Sequence, residues 1–215
     1  MKTTMEKMLY LLTVALIITV AYAGNQRSKY QDKNQCLDNP CQNGGTFTQN
    51  DECFTCSCTD GFVGAYCTEV PVELAKGKPA EQSSTYLTYS ATLAVDGNRG
   101  TNVIAGLCAS TGGGDINPWW RVDLQAVYSI TSVRILNRGP DQYADVSNRL
   151  RDVTVTVGLT ESDVNTPCGV FAGPGTLSQL VVIDCPSVPK GRFVKISKTT
   201  EYLTMCEVEV FGFSG

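Results

Sequence analysis

The sequence predicts an all-β protein in two unequal parts, a small disulfide-rich module followed by an antiparallel β-sandwich. Three observations predict it. From residue 74 onward no helical period is sustained. Short alternating runs rich in β-branched residues take its place: "YSITSVRIL" (128–136), "DVTVTVG" (152–158), "LVVID" (180–184), "RFVKIS" (192–197) and "EVEVFGF" (207–213). Gly, Pro, Asn and Asp separate these runs, the pattern of short strands stacked face to face. Six of the ten cysteines crowd into residues 36–67, a span too short for a self-sufficient core without covalent staples.

Taken in order, the chain begins with Lys2 and Lys7, an apolar run from Met8 to Val20, and a small-x-small site at Ala21-Tyr22-Ala23. This is the layout of a secretory signal peptide over residues 1–23, with an apolar run shorter than the roughly 20 residues that span a bilayer. A secreted protein without membrane insertion is expected. Residues 24–35 (GNQRSKYQDKNQ) form a polar leader. Residues 68–73 (TEVPVE) form a linker in which Pro71 disfavours helix, and the sandwich occupies 74–215.

The formal net charge of −4 comes with no basic run or stripe, which argues against nucleic acid as a partner. An even number of cysteines in an exported chain implies disulfides. The chain contains no histidine, so zinc lacks its usual nitrogen ligand and Ser-His or Cys-His nucleophiles are excluded. A carboxylate-pair glycosidase remains compatible with the composition, yet no acidic pair stands in an apolar context. The expectation is a binding protein, not an enzyme.

The small unit runs Cys36-x4-Cys41-x11-Cys53-x2-Cys56-x-Cys58-x8-Cys67 and carries "NPCQNGGT" (39–46) and "CTDGFVGAYC" (58–67). It resembles an epidermal growth factor-like module. Six cysteines allow fifteen pairings; the resemblance implies Cys36–Cys53, Cys41–Cys56 and Cys58–Cys67. The chain departs from the family at Phe47, where the third cysteine normally stands, so Cys53 takes that role. Asp32, Asn34 and Gln35 before Cys36 resemble the start of the calcium-binding version, but Gln49 replaces the later Asn or Asp, removing a hard oxygen ligand. A spacer or a docking knob is the favoured reading of the module.

"AKGKPAEQSSTY" (75–86), "AVDGNRGTN" (94–102), "CAS…INPWWRVDL" (108–124), "YSITSVRILNRG" (128–139) and "CEVEVFG" (206–212) occur in this order. Together they resemble the fucolectin, or F-type lectin, family and cover nearly all of 74–213. The resemblance implies a β-jelly roll with a ligand site in the loops at one end. It also implies disulfides Cys108–Cys206 and Cys168–Cys185. Trp119 and Trp120 begin a strand, one indole expected in the core and the other over a loop base.

The resemblance further implies calcium. Asp96 and Glu207 would give carboxylate oxygens, and Leu93, Asn98, Leu107 and Cys206 main-chain carbonyls, a hard-oxygen set suited to that ion in a structural role. Leu107 stands where the family usually offers a hydroxyl. The bland alternative is that Asp96-Gly97-Asn98 is simply a turn.

Fucose recognition in the family rests on one histidine and two arginines. Arg138 and Arg149 match the arginines, whose planar forks suit sugar oxygens. The loop between them is longer than usual and contains Tyr143. The histidine's place falls opposite Ser110 or Thr111, and Gly112-Gly113-Gly114 suggests a remodelled loop. An altered fucose site is therefore expected, with free fucose bound weakly or not at all. The competing role for Arg138 and Arg149 is ion pairing with Asp141, Asp145 or Asp152. The functional expectation is a lectin-like recognition or adhesion protein whose partner is a glycan, fucose-type or other. The alternative is a structural or adhesive extracellular matrix protein that uses the jelly roll for protein docking. A single lectin-like domain would gain avidity by forming a homo-oligomer.

Overall fold

A computed structural model describes residues 39–50, 53–59, 61–142 and 144–214. The signal segment 1–23, the leader 24–35, the Asp32–Cys36 stretch, the Cys36–Cys53 pairing and Tyr143 lie outside the described residues. The chain divides into two compact units between Glu69 and Val70.

In the first unit β1 (Thr46–Asn50) and β2 (Cys53–Ser57) pair as an antiparallel hairpin. Cys41 is bonded to Cys56 and Cys58 to Cys67, and Cys67 is fully buried. Gly45 is required by close packing: a Cβ there would lie 2.7 Å from Cys67 Sγ. Phe47, the residue that displaces the usual cysteine, packs against Phe54 with ring centroids 6.2 Å apart, and Phe54 in turn meets Tyr66 at 5.6 Å. An aromatic contact thus supports the hairpin beside the disulfides.

The second unit is all-β, as expected. It contains β3 (Val72–Glu73), β4 (Ala80–Gln82), β5 (Ala109–Ser110), β6 (Trp119–Leu136), β7 (Val153–Gly158), β8 (Thr166–Phe171), β9 (Leu180–Asp184), β10 (Lys190–Ser197), β11 (Thr204–Met205) and β12 (Glu207–Phe213). The 18-residue β6 organises the rest. Its first part, 119–123, pairs with β10, and 120–122 also with β4. Its last part pairs with β12 on one side and β9 on the other. Strand β6 therefore passes from one layer, β4-β6-β10-β7-β8, into a second, β3-β12-β6-β9. The passage is made at Gln125, whose φ is +67°, and at exposed Ala126 and Val127.

Alternation sends Trp120, Val122 and Leu124 inward from the first part, and Ile130, Val133 and Ile135 from the second. The phase slips at Thr131, the extra residue of a β-bulge opposite Phe211 and Gly212. Val153, Val155 and Val157 of β7, Val194 and Ile196 of β10, and Val208 and Val210 of β12 complete one hydrophobic core. Cys168 on β8 is bonded to Cys185 just beyond β9, tying the edge of one layer to the edge of the other. Cys108 is bonded to Cys206, which lies between β11 and β12.

Candidate functional site

A cavity of about 430 Å3 lies among the loops that follow β4, β6 and β10 and precede β5, β7 and β11. Arg138 and Arg149 both line it, with Ser110 and Thr204 on one wall, Val103, Ile104 and Val146 as apolar surface, and Tyr86, Tyr89 and Tyr202 as aromatic surface.

Arg138 directly follows Asn137, which extends β6, and its backbone is fixed. Its N–H donates to Asn137 Oδ1 at 2.9 Å, and its carbonyl accepts the Ser178 amide at 2.9 Å. Asn137 Nδ2 in turn donates to the carbonyls of Ser147 and Thr176. The Arg138 guanidinium is ion-paired with Asp141, both side chains nearly buried at 11% and 1% exposure. Asp145 and Asp152 do not take that place; Asp145 accepts the Ser147 amide and hydroxyl.

Arg149 ends the short 3-10 turn Ser147–Arg149. It makes no ion pair among the described residues; its guanidinium lies over the Tyr202 ring, 4.4 Å from the centroid. Tyr202 is held from several directions. Tyr86 meets it edge-on at 6.2 Å, and its carbonyl accepts from Lys198 Nζ, which also donates to the carbonyls of Arg149 and Glu201. Burial, followed by the nearby charge of Arg151, pushes the Lys198 ammonium down to about 8.

Of the two hydroxyls expected near the missing histidine, Ser110 lines the cavity and its Oγ lies 2.8 Å from Thr204 Oγ1. Thr111 does not line it. It is fully buried, and its Oγ1 accepts the Leu203 amide. The glycine loop beyond it runs against Tyr202: a Cβ at Gly113 would lie 2.5 Å from the Tyr202 hydroxyl. Neither tryptophan faces the cavity. Trp120 is fully buried and donates from Nε1 to the Ala91 carbonyl at 2.9 Å, while Trp119 lies under the cations of Arg121 and Lys195. The three tyrosines escape sequence reasoning because isolated tyrosines in irregular loops carry no period or spacing signal.

The second constellation centres on Glu207. This residue is 4% exposed; its Oε1 accepts the Gly97 amide at 3.1 Å, and its Oε2 is buried without a hydrogen-bond partner. Burial first, with Asp96 and other carboxylates adding repulsion, pushes its carboxyl up to about 7. The Asp96–Asn98 turn is tied by Asp96 Oδ1 accepting the Asn98 amide, and Asn98 Oδ1 accepts the Gly100 amide. Leu93 lies in the 3-10 turn Ala91–Ala94, and Cys206 adjoins Glu207 through the chain. Leu107 turns its side chain onto Gly100, where a Cβ would be 2.5 Å away. No group of three or more His, Cys, Asp or Glu side chains gathers for a metal among the described residues. The implied set needs only two carboxylates, with main-chain oxygens for the rest. An orphaned buried oxygen facing a second carboxylate suits a hard cation.

Comparison with known proteins fits this geometry. The family described as "NedA-like, galactose-binding domain" matches residues 93–196. Fucolectin of Anguilla anguilla is 40% identical over 124 residues, covering 56% of this chain and 75% of that protein. The chain belongs to the fucolectin family. It spans 61% of Fucolectin-5 of Anguilla japonica, which is 38% identical. Among solved structures, the fucolectin from striped bass (Morone saxatilis) serum superposes with a TM-score of 0.60 at 35% identity, over 68% of this chain and half of that one. The lectin domain of Lectinolysin, solved with Lewis b antigen, superposes with a TM-score of 0.57 at 30% identity, over 66% of this chain and 96% of that domain. In this fucolectin the described disulfides fit an oxidising compartment. No helix among the described residues is long and apolar enough to cross a membrane.

Proposed function

We propose that this fucolectin is a secreted carbohydrate-binding protein of recognition or adhesion, stabilised by calcium, with an altered fucose site. The observation that carries the reading is the meeting of Arg138 and Arg149 in one cavity of ligand size. Ser110, one of the two hydroxyl residues opposite the family histidine, lines the cavity. Its shorter reach forfeits a hydrogen bond worth roughly 0.5–1.5 kcal/mol, so free fucose binds weakly or not at all and a different glycan is the ligand. The buried Glu207 Oε2 and the Asp96 turn support calcium as the ion at the second constellation. The hairpin with Cys41–Cys56 and Cys58–Cys67 supports an epidermal growth factor-like module as spacer or docking knob.

A glycan-array screen of the secreted protein in millimolar calcium, repeated with a chelator, tests the reading. Saturable binding lost in both Arg138→Ala and Arg149→Ala is expected. Silence across all glycans from protein shown to be folded overturns it and leaves docking to an extracellular matrix protein as the function.

A further inference from the structure

Resting on the carbohydrate-binding reading, we infer that the ligand is an acidic saccharide, with a sulfate or carboxylate group seated at the Arg149–Tyr202 end of the cavity. The two arginines of the site are not equivalent. Arg138 has its charge cancelled by Asp141, whose carboxylate is almost completely buried against it. Arg149 has no carboxylate partner among the described residues. The cavity has no Asp or Glu among its lining residues to offset that charge.

Held over the Tyr202 ring, the Arg149 guanidinium donates no side-chain hydrogen bond among the described residues, so its N–H groups remain for a ligand. That fork matches two oxygens of a carboxylate or sulfate. Tyr202 itself sits at φ +58°, a sparsely populated region for a non-glycine residue. It is held there by the Tyr86 edge contact, the Lys198 ammonium on its carbonyl and the close passage of Gly113. Backbone held in such a conformation by several independent contacts marks a positioned platform.

The surrounding charges agree on which end receives the acid. Lys198 lies behind Arg149 and Tyr202, close to Arg151, and Asp152 offsets part of that charge. A small recess of about 60 Å3 beside Arg138 is lined by Asp141 and Asp145. An anion is repelled there and attracted at Arg149, so the neutral part of the sugar lies toward Arg138.

The test uses the full chain in calcium and matched pairs of oligosaccharides: sulfated against desulfated, and sialylated or uronic against neutral. Calorimetric titration is run at about 50 and 500 mM salt. The expected result is at least tenfold tighter binding of one acidic class over its neutral parent, weakening severalfold at high salt. Arg149→Met should weaken the acidic member far more than its neutral parent and so remove the preference. Arg149→Lys should keep part of the preference, since it retains the charge but loses the fork. The sulfated and carboxylated arms identify which acid is bound. Equal binding of acidic and neutral partners, or a preference unaffected by Arg149→Met in protein of unchanged melting temperature, overturns the inference and leaves the lectin reading standing. Binding of no saccharide by the folded protein overturns both.

Discussion

The Gly97 amide donates to Glu207 Oε1 at 3.1 Å, across 110 residues of sequence, and leaves Glu207 Oε2 buried with no partner. A buried carboxylate in this position destabilises the ion-free protein, a cost that the proposed calcium ion would offset. Calcium at about 100 times its dissociation constant should add roughly 2.7 kcal/mol, or about 5–10 °C in melting temperature for a domain of this size. Glu207→Gln should abolish that increment, yet melt at or above chelated wild type, because the uncompensated charge is gone. Differential scanning calorimetry with calcium and with chelator reads both effects. A full calcium increment in Glu207→Gln would remove the residue from the ion site.

Cys168 on β8 and Cys185 beyond β9 join the outer edges of the two layers across a separation of 17 residues. Closing a loop of about 15 residues is worth roughly 3 kcal/mol through restriction of the unfolded chain. The double variant Cys168→Ala/Cys185→Ala should therefore melt about 6–12 °C lower. Loss of less than 2 °C would mean that the layer edges are held by their core contacts alone.

Much of this fold was legible in the sequence. Alternating runs marked the cores of β7, β9, β10 and β12, and the described disulfides pair as the family resemblance implies. Gln125–Val127 interrupts the alternation and reads as the end of a strand, yet β6 continues through it, because Gln125 takes a left-handed conformation that no pattern announces. The arginines were visible through their motifs. Their different electrostatic states were not, since pairing of Arg138 with Asp141 and of Arg149 with Tyr202 is decided by loop conformation. Thr111 shows the same limit: its hydroxyl is taken by the Leu203 amide, a contact set by tertiary packing alone.

The adjacent tryptophans should respond differently to substitution. Trp120 loses both a buried indole and its bond to the Ala91 carbonyl, so Trp120→Phe should cost about 1–3 kcal/mol from the unpaired carbonyl alone. Trp119 contributes a half-exposed ring under Arg121 and Lys195, and Trp119→Phe should cost under about 1 kcal/mol. Denaturant unfolding of the two variants measures the difference. Neither ring lines the cavity, so saccharide titration should leave tryptophan emission unshifted; a marked shift on binding would place an indole at the ligand.

Lys198 sets a pH dependence that an ordinary surface lysine, titrating alike in the folded and unfolded chain, does not. Burial lowers it from 10.5 to about 8 in the folded protein. Between those values the unfolded chain holds more protons than the folded one, so stability rises with pH across that window. Below about 8 the penalty of the buried ammonium is fully present, and above 10.5 it is gone. Urea unfolding at intervals between pH 7.5 and 10.5, with short incubations that limit disulfide exchange, should show this upward trend in wild type. Lys198→Met should flatten it while losing the bonds to the Arg149, Glu201 and Tyr202 carbonyls. An identical slope in wild type and variant would assign the trend to other groups. It would also mean that the ammonium behind Tyr202 is solvated.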